Sequence, residues 1–97
     1  MDKKGWVYII TNKRNGTLYI GATSDLVQRI YQHKHKFVDA FSKKYGLSEL
    51  IYFEEHGTIQ DALYREKQMK EWKREWKIEL IEKFNPAWKD LYSDICG

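Results

Sequence analysis

Five side chains in this sequence carry the means for phosphoryl chemistry: Tyr8, Tyr19, Arg29, His33 and Glu66. Arg29 and His33 stand four residues apart, so a single helix would present both on one side. Arg29 borders an apolar Leu26/Ile30 stripe that His33 continues. A guanidinium in that position calls for an anion or acceptor; the alternatives are a snorkelling side chain or a surface pair with Asp25. Glu66 interrupts a stripe formed by Ala62, Met69, Trp72 and Trp76. A carboxylate there is costly to desolvate unless a cation or hydrogen bonds compensate it. A metal ion, Arg29, Arg65 or solvent at a cleft edge would each serve, as would an ordinary salt bridge.

Taken together, these groups are the parts of a centre that cleaves phosphodiesters. A guanidinium neutralises charge developing on phosphate oxygens. A carboxylate holds a hard divalent cation such as Mg²⁺ through oxygen. A phenol can take a proton from attacking water if its acidity rises. Moving a tyrosine from its reference pKa of about 10 to about 7 requires roughly 4 kcal/mol of differential stabilisation, which an adjacent cation and Arg29 can supply. His33 would accept the phenolic proton or orient the ring. The competing reading of Tyr8 and Tyr19 is plain aromatic packing. The chemistry requires all five side chains to meet in one cleft.

The elements that must position them can be read from the pattern. WVYIITN is aromatic and β-branched and favours a strand, KRNG is a turn, and TLYIGA returns as an antiparallel partner. A two-residue Asn15-Gly16 loop sets Tyr19 opposite Asn12 and offsets Tyr8 along the sheet; a longer loop changes that register. Gly21 and Ala22 end the second strand and permit close approach to its backbone. Thr23, Ser24 and Asp25 are candidate caps for a helix whose Leu26, Ile30, His33 and Phe37 face the sheet, and which ends near His35 or Lys36. FVDAFSKKYG reads as a helical turn or a loop closed by Gly46. SELIYFEEH is a third strand, with Leu50, Tyr52 and Glu54 on one face and Ile51 and Phe53 on the other. Thr58 and Asp61 form a capping pair before a helix from Ile59 to Trp72 or beyond. Residues 74–84 are also helical, with no break specified between the two, and Asn85-Pro86 stops the run. Trp88, Leu91 and Tyr92 would pack a short tail. The expected fold is α+β: a small three-stranded antiparallel sheet in the order β-β-α-β-α-α, with helices covering one face.

Composition bounds the possibilities. The chain has 97 residues, 42% apolar and 32% charged, with four Trp, seven Tyr and four Phe. That suits one domain over residues 1–97, with its core at about 6–92, and argues against general disorder. The net charge of +3 is mild, but Arg29, Lys34, Lys36, Lys43 and Lys44 cluster between Val27 and Tyr45 against Asp39 alone. This segment is a candidate phosphate-facing patch, or else a solvated face. Lys13 and Arg14 in the turn are further candidates. Cys96 is the sole cysteine, so an internal disulfide and a cysteine-based zinc site are excluded. No apolar run reaches the roughly 18 residues of a membrane span, and none resembles a signal peptide. A cytoplasmic setting is expected, with no membrane partner.

The sequence resembles the GIY-YIG nuclease superfamily, in particular the small single-domain endonuclease-like proteins related to the UvrC-type N-terminal nuclease domain. Trp6-Val7-Tyr8 corresponds to the first tripeptide, with Trp6 replacing its glycine, and Tyr19-Ile20-Gly21 is the second, intact. GATSDLVQRIYQHK matches the following helix, and REKQMKEWKREWKIELIEKFNPAWKDL matches the later block. The resemblance implies metal-dependent cleavage of a nucleic acid, with DNA the expected substrate. It implies Tyr19 as general base, Tyr8 as its support, Arg29 on the phosphate, His33 at the position four later, and Glu66 as the ligand of one Mg²⁺, with Mn²⁺ an alternative. Other readings are an RNA-directed nuclease, a non-catalytic module that binds nucleic acid or a partner, and a domain that acts beside a protein partner supplying targeting. No feature selects an oligomeric state.

Overall fold

A computed structural model describes residues 3–35 and 40–97. Gly5–Thr11 (β1), Leu18–Thr23 (β2) and Glu49–His56 (β3) form an antiparallel sheet in the order β2-β1-β3. Helices Leu26–Lys34 (α1) and Ala40–Tyr45 (α2) precede β3. Helices Ile59–Lys70 (α3), Arg74–Phe84 (α4) and Tyr92–Ile95 (α5) follow it. The α+β class and the antiparallel three-stranded sheet are as expected; α2 falls in the segment read as a helical turn or loop, and the short α5 is added in the tail.

Helices cover both faces of the sheet, not one. Strand alternation sends Val7 and Ile9 to one side, where they meet Ala62 and Met69 of α3 and Ile81 of α4. Tyr8 and Ile10 point to the other, against Leu26 and Ile30 of α1. Both sides of β1 are apolar because the central strand contacts solvent on neither. At Gly5 the backbone of α3 comes so near that a Cβ would lie 2.7 Å from Ile59 Cα.

The hairpin loop is longer than two residues. Thr11 pairs with Leu18, Ile10 with Tyr19 and Tyr8 with Gly21. Within the loop, Gly16 donates its N–H to Lys13 O, Thr17 donates to Asn12 Oδ1, and the buried Thr11 hydroxyl engages the carbonyls of Lys13 and Thr17. Asn15 alone supplies a positive φ, 58°. These side-chain bonds hold the wider loop; the register shifts by two residues, which keeps Tyr8 and Tyr19 on one face and brings Tyr19 one step closer along the sheet, opposite Ile10.

The expected alternation in β3 is also broken. Ile9 pairs with Tyr52 but Ile10 pairs with Leu50, leaving Ile51 as the extra residue of a bulge. Leu50 and Phe53 therefore share the α1 face, while Ile51 and Tyr52 face α3. The C-terminal segment covers this irregular edge. Leu91 N–H donates to Leu50 O, Asn85 Nδ2 donates to Ile51 O, and Asp90 Oδ1 accepts from Leu50 N–H. The helical run after β3 breaks at residues 71–73, between α3 and α4.

Candidate active site

The site begins with α1. Asp25 caps it by accepting from Gln28 N–H at 3.1 Å, and Thr23 Oγ1 accepts from Asp25 N–H at 3.0 Å. Asp25 is thus occupied as a cap, and among the described residues it makes no ion pair with Arg29. The cap sets the helix phase that buries Leu26, Ile30 and His33 against the sheet. Phe37, expected to extend this stripe, and Lys36 lie outside the described residues.

His33 is 2% exposed and Tyr8 is 1% exposed, so their polar atoms must find partners within the protein. They find each other, with the Tyr8 hydroxyl 3.0 Å from His33 Nε2. The Tyr19 ring meets the His33 ring edge-on at 5.6 Å, and the two phenol rings lie 6.5 Å apart. Tyr19 is only half-buried. One phenol is therefore sealed and tethered, and its neighbour remains accessible. Arg29 is half-buried one helical turn before His33, on the same side of α1.

Space for Tyr8 comes from its cross-strand partner. A Cβ at Gly21 would lie 2.5 Å from Tyr8 Cζ and 2.9 Å from Cε1. Gly21 has no positive φ, so the ring needs its missing side chain, not its backbone freedom. Trp6 packs on the same face beyond Tyr8, filling a strand position while leaving the phenol in place.

Glu66 comes from the other side of the sheet. On α3, Ala62 and Met69 point inward. At about 100° per residue, Arg65 and Glu66 flank that inward line on opposite sides. Arg65 leans toward β3, where it bonds Glu54. Glu66 therefore takes the flank toward β2, the strand that carries Tyr19. Its side chain is 15% exposed and pairs with Lys70 Nζ at 3.2 Å. The structure thus joins Tyr8, Tyr19 and His33 in direct contact, with Arg29 alongside; Glu66 comes from the helix packed on the other face, on its flank toward β2, the edge strand that carries Tyr19.

The Glu66 carboxylate suits a hard divalent cation. It already attracts a cation, the Lys70 ammonium, whose half-exposed flexible stem can withdraw. Among the described residues no three metal-ligating side chains cluster, so an ion there would draw its remaining ligands from water and substrate phosphate, as Mg²⁺ commonly does.

The basic residues divide into two groups. Lys34 is committed: its ammonium bonds the Asp90 carboxylate and the Ser48 carbonyl and lies over the Tyr92 ring. Lys13, Lys43 and Lys44 are exposed. Exposed Arg14 makes a loose 3.9 Å pair with Glu82, while Arg74 Nη2 braces the hairpin through the carbonyls of Asn15 and Gly16.

Sequence reasoning missed a half-buried polar network. Glu54 accepts from the Tyr52 hydroxyl at 2.6 Å and from Arg65 Nε at 3.0 Å, and pairs with His56 Nε2 at 2.6 Å. Burial alone would raise the Glu54 carboxyl, but the bonds from Tyr52, His56 and Arg65, with the Arg65 charge, outweigh it and hold the carboxyl below its usual range. Burial, then the bond to Glu54 and its negative charge, push the Tyr52 phenol up. A glutamate on a core-facing strand position was the available signal.

A profile of the GIY-YIG catalytic domain matches residues 4–79. A UPF0213 protein of Staphylococcus saprophyticus is 35% identical over 81 residues, covering 84% of this chain and 96% of that protein. One from Staphylococcus epidermidis is 33% identical over 82 residues, covering 84% and 98%. The solution NMR structure of a UPF0213 protein from Bacillus halodurans superposes with a TM-score of 0.55 over 90% of this chain and 92% of that one, at 22% identity, a likeness of fold.

Proposed function

The chain belongs to the GIY-YIG nuclease family, and from that premise we propose that it is a metal-dependent endonuclease that hydrolyses phosphodiester bonds in DNA. The observation that carries this reading is the tyrosine–histidine cluster: a buried Tyr8 tied to His33 beside an accessible Tyr19. Tyr19, as the phenolate, takes the proton from the attacking water and becomes the neutral phenol. Tyr8 and His33 hold its ring from beneath, so its hydroxyl keeps one direction as substrate arrives. Arg29 binds the phosphate oxygens, where charge grows in the transition state. Glu66 would hold Mg²⁺, or Mn²⁺, which when bound supplies charge neutralisation at the departing oxygen. Lys13, Arg14, Lys43 and Lys44 contact the flanking backbone of the nucleic acid. No helix among the described residues is long and apolar enough to cross a membrane.

The test is cleavage of a panel of DNA and RNA structures with Mg²⁺, Mn²⁺ or chelator, comparing the parent with Tyr19→Phe and Glu66→Gln. Metal-dependent DNA cleavage lost in both variants is expected. Cleavage unchanged in both removes the mechanism. Cleavage confined to RNA replaces the substrate, and binding without cleavage of any substrate leaves a binding module.

A further inference from the structure

We infer that Glu54 is a positioning residue for Glu66: acting through Arg65, it fixes the rotation of α3 and thereby aims the Glu66 carboxylate toward the β2 side. The inference rests on the metal-binding reading of Glu66 given above.

Arg65 and Glu66 are neighbours on one helix, so neither can turn about the helix axis without the other. Arg65 grips Glu54 with two nitrogens, Nε to Oε2 at 3.0 Å and Nη2 to Oε1 at 3.4 Å. A two-point grip resists rotation in a way that one bond does not. Glu54 is itself anchored on β3 by the Tyr52 hydroxyl and by His56, both at 2.6 Å. The guanidinium also lies 4.9 Å from the Trp72 ring centroid, so it is held from a second direction.

The first turn of α3 is fixed by backbone: Ile59 N–H donates to Lys3 O at 3.0 Å, and Gly5 admits Ile59 and Ala62 at close range. Beyond that turn the inward side chain is the flexible Met69, an unbranched thioether that tolerates a change in helix phase. The ionic grip is therefore the contact that holds the phase of the second half of α3, and the flank opposite Arg65 is the one that carries Glu66. Without the grip, α3 stays packed on the sheet but its phase loosens, and the Glu66 carboxylate spreads over several directions.

The experiment measures Mn²⁺ binding by calorimetry on the full chain, for the parent, Glu54→Gln, Arg65→Lys and Glu66→Gln, with circular dichroism confirming the fold. Arg65→Lys keeps the charge but loses the two-point grip, and it carries the test if Glu54→Gln does not fold. DNA binding in chelator, by fluorescence anisotropy, runs in parallel. The expected result is Mn²⁺ affinity about tenfold weaker in Glu54→Gln and Arg65→Lys and undetectable in Glu66→Gln, with DNA affinity in chelator unchanged in Glu54→Gln and Arg65→Lys. A purely structural brace would lower the melting temperature without moving Mn²⁺ affinity. Loss of Mn²⁺ binding in Glu66→Gln alone, with both other variants within twofold of the parent, overturns the inference and leaves the metal reading standing. A parent that binds no Mn²⁺, or Glu66→Gln that binds as the parent does, removes the metal reading and the inference with it.

Discussion

Replacing Gly21 with alanine probes the support of the tyrosine cluster at its tightest point. The new methyl carbon would stand 2.5 Å from Tyr8 Cζ and 2.9 Å from Cε1, with the hydroxyl oxygen closer still. Non-bonded carbons rest at about 3.5–4.0 Å, so the ring must withdraw by about 1 Å. It has little room, being 1% exposed, packed with Ile10 and Ile30, and bonded to His33 Nε2 at 3.0 Å. Overpacking costs about 1–3 kcal/mol, and breaking the buried phenol–imidazole bond adds about 1–3 kcal/mol. The reduced freedom of the unfolded chain returns only about 0.4–1 kcal/mol. The net loss is roughly 1–6 kcal/mol, and with the ring displaced by about 1 Å cleavage should fall on the order of 10²-fold. Urea unfolding followed by tryptophan fluorescence measures the first quantity, and initial rates of DNA cleavage the second. The same substitution in a Tyr8→Leu background, where Cζ and the hydroxyl are gone, should cost less than about 0.5 kcal/mol. Equal costs in the two backgrounds, or Gly21→Ala as stable as the parent, would refute the close-approach argument.

Further outcomes follow from the same contacts. Tyr19→Phe should reduce cleavage by about 10²- to 10⁴-fold while leaving DNA affinity in chelator intact, as read by anisotropy. Lys34→Ala should leave the salt dependence of DNA binding unchanged, because Asp90 already neutralises that ammonium, whereas Lys43→Ala or Lys44→Ala should lower the slope of log affinity against log salt by about 1. Asp90→Ala removes the partner of Lys34, Leu50 N–H and Tyr92 N–H together and should cost about 2–4 kcal/mol, read as a lower urea midpoint. The Glu54 carboxyl is held below its ordinary value of 4.5 in the folded protein, so its contribution to stability is complete above that pH and is lost as pH falls through the lower folded value. The parent should therefore lose urea resistance over that acid range more steeply than Glu54→Gln, and parallel profiles would refute the linkage.

Local pattern determined much of this protein. The β-branched and aromatic run in β1, the Asp25 and Thr58 caps, and the 3.6-residue stripe through Leu26, Ile30 and His33 each depend on residues close in sequence. So does the four-residue spacing that puts Arg29 and His33 on one side of α1. Tertiary structure decided what depends on contacts between distant segments. The hairpin register was set by Thr11 and Asn12 bonding across the loop, not by the Asn15-Gly16 signal. The bulge at Ile51 is satisfied by a C-terminal segment about forty residues away, through Asn85, Asp90 and Leu91. Glu66 looked like the anomalous carboxylate of α3, yet Arg65 went to Glu54 and Glu66 to Lys70. A helix wheel shows which residues share a face, but the partner of a charge depends on which strand packs beneath it, and that is settled only when the sheet order β2-β1-β3 and the helix phase are formed together.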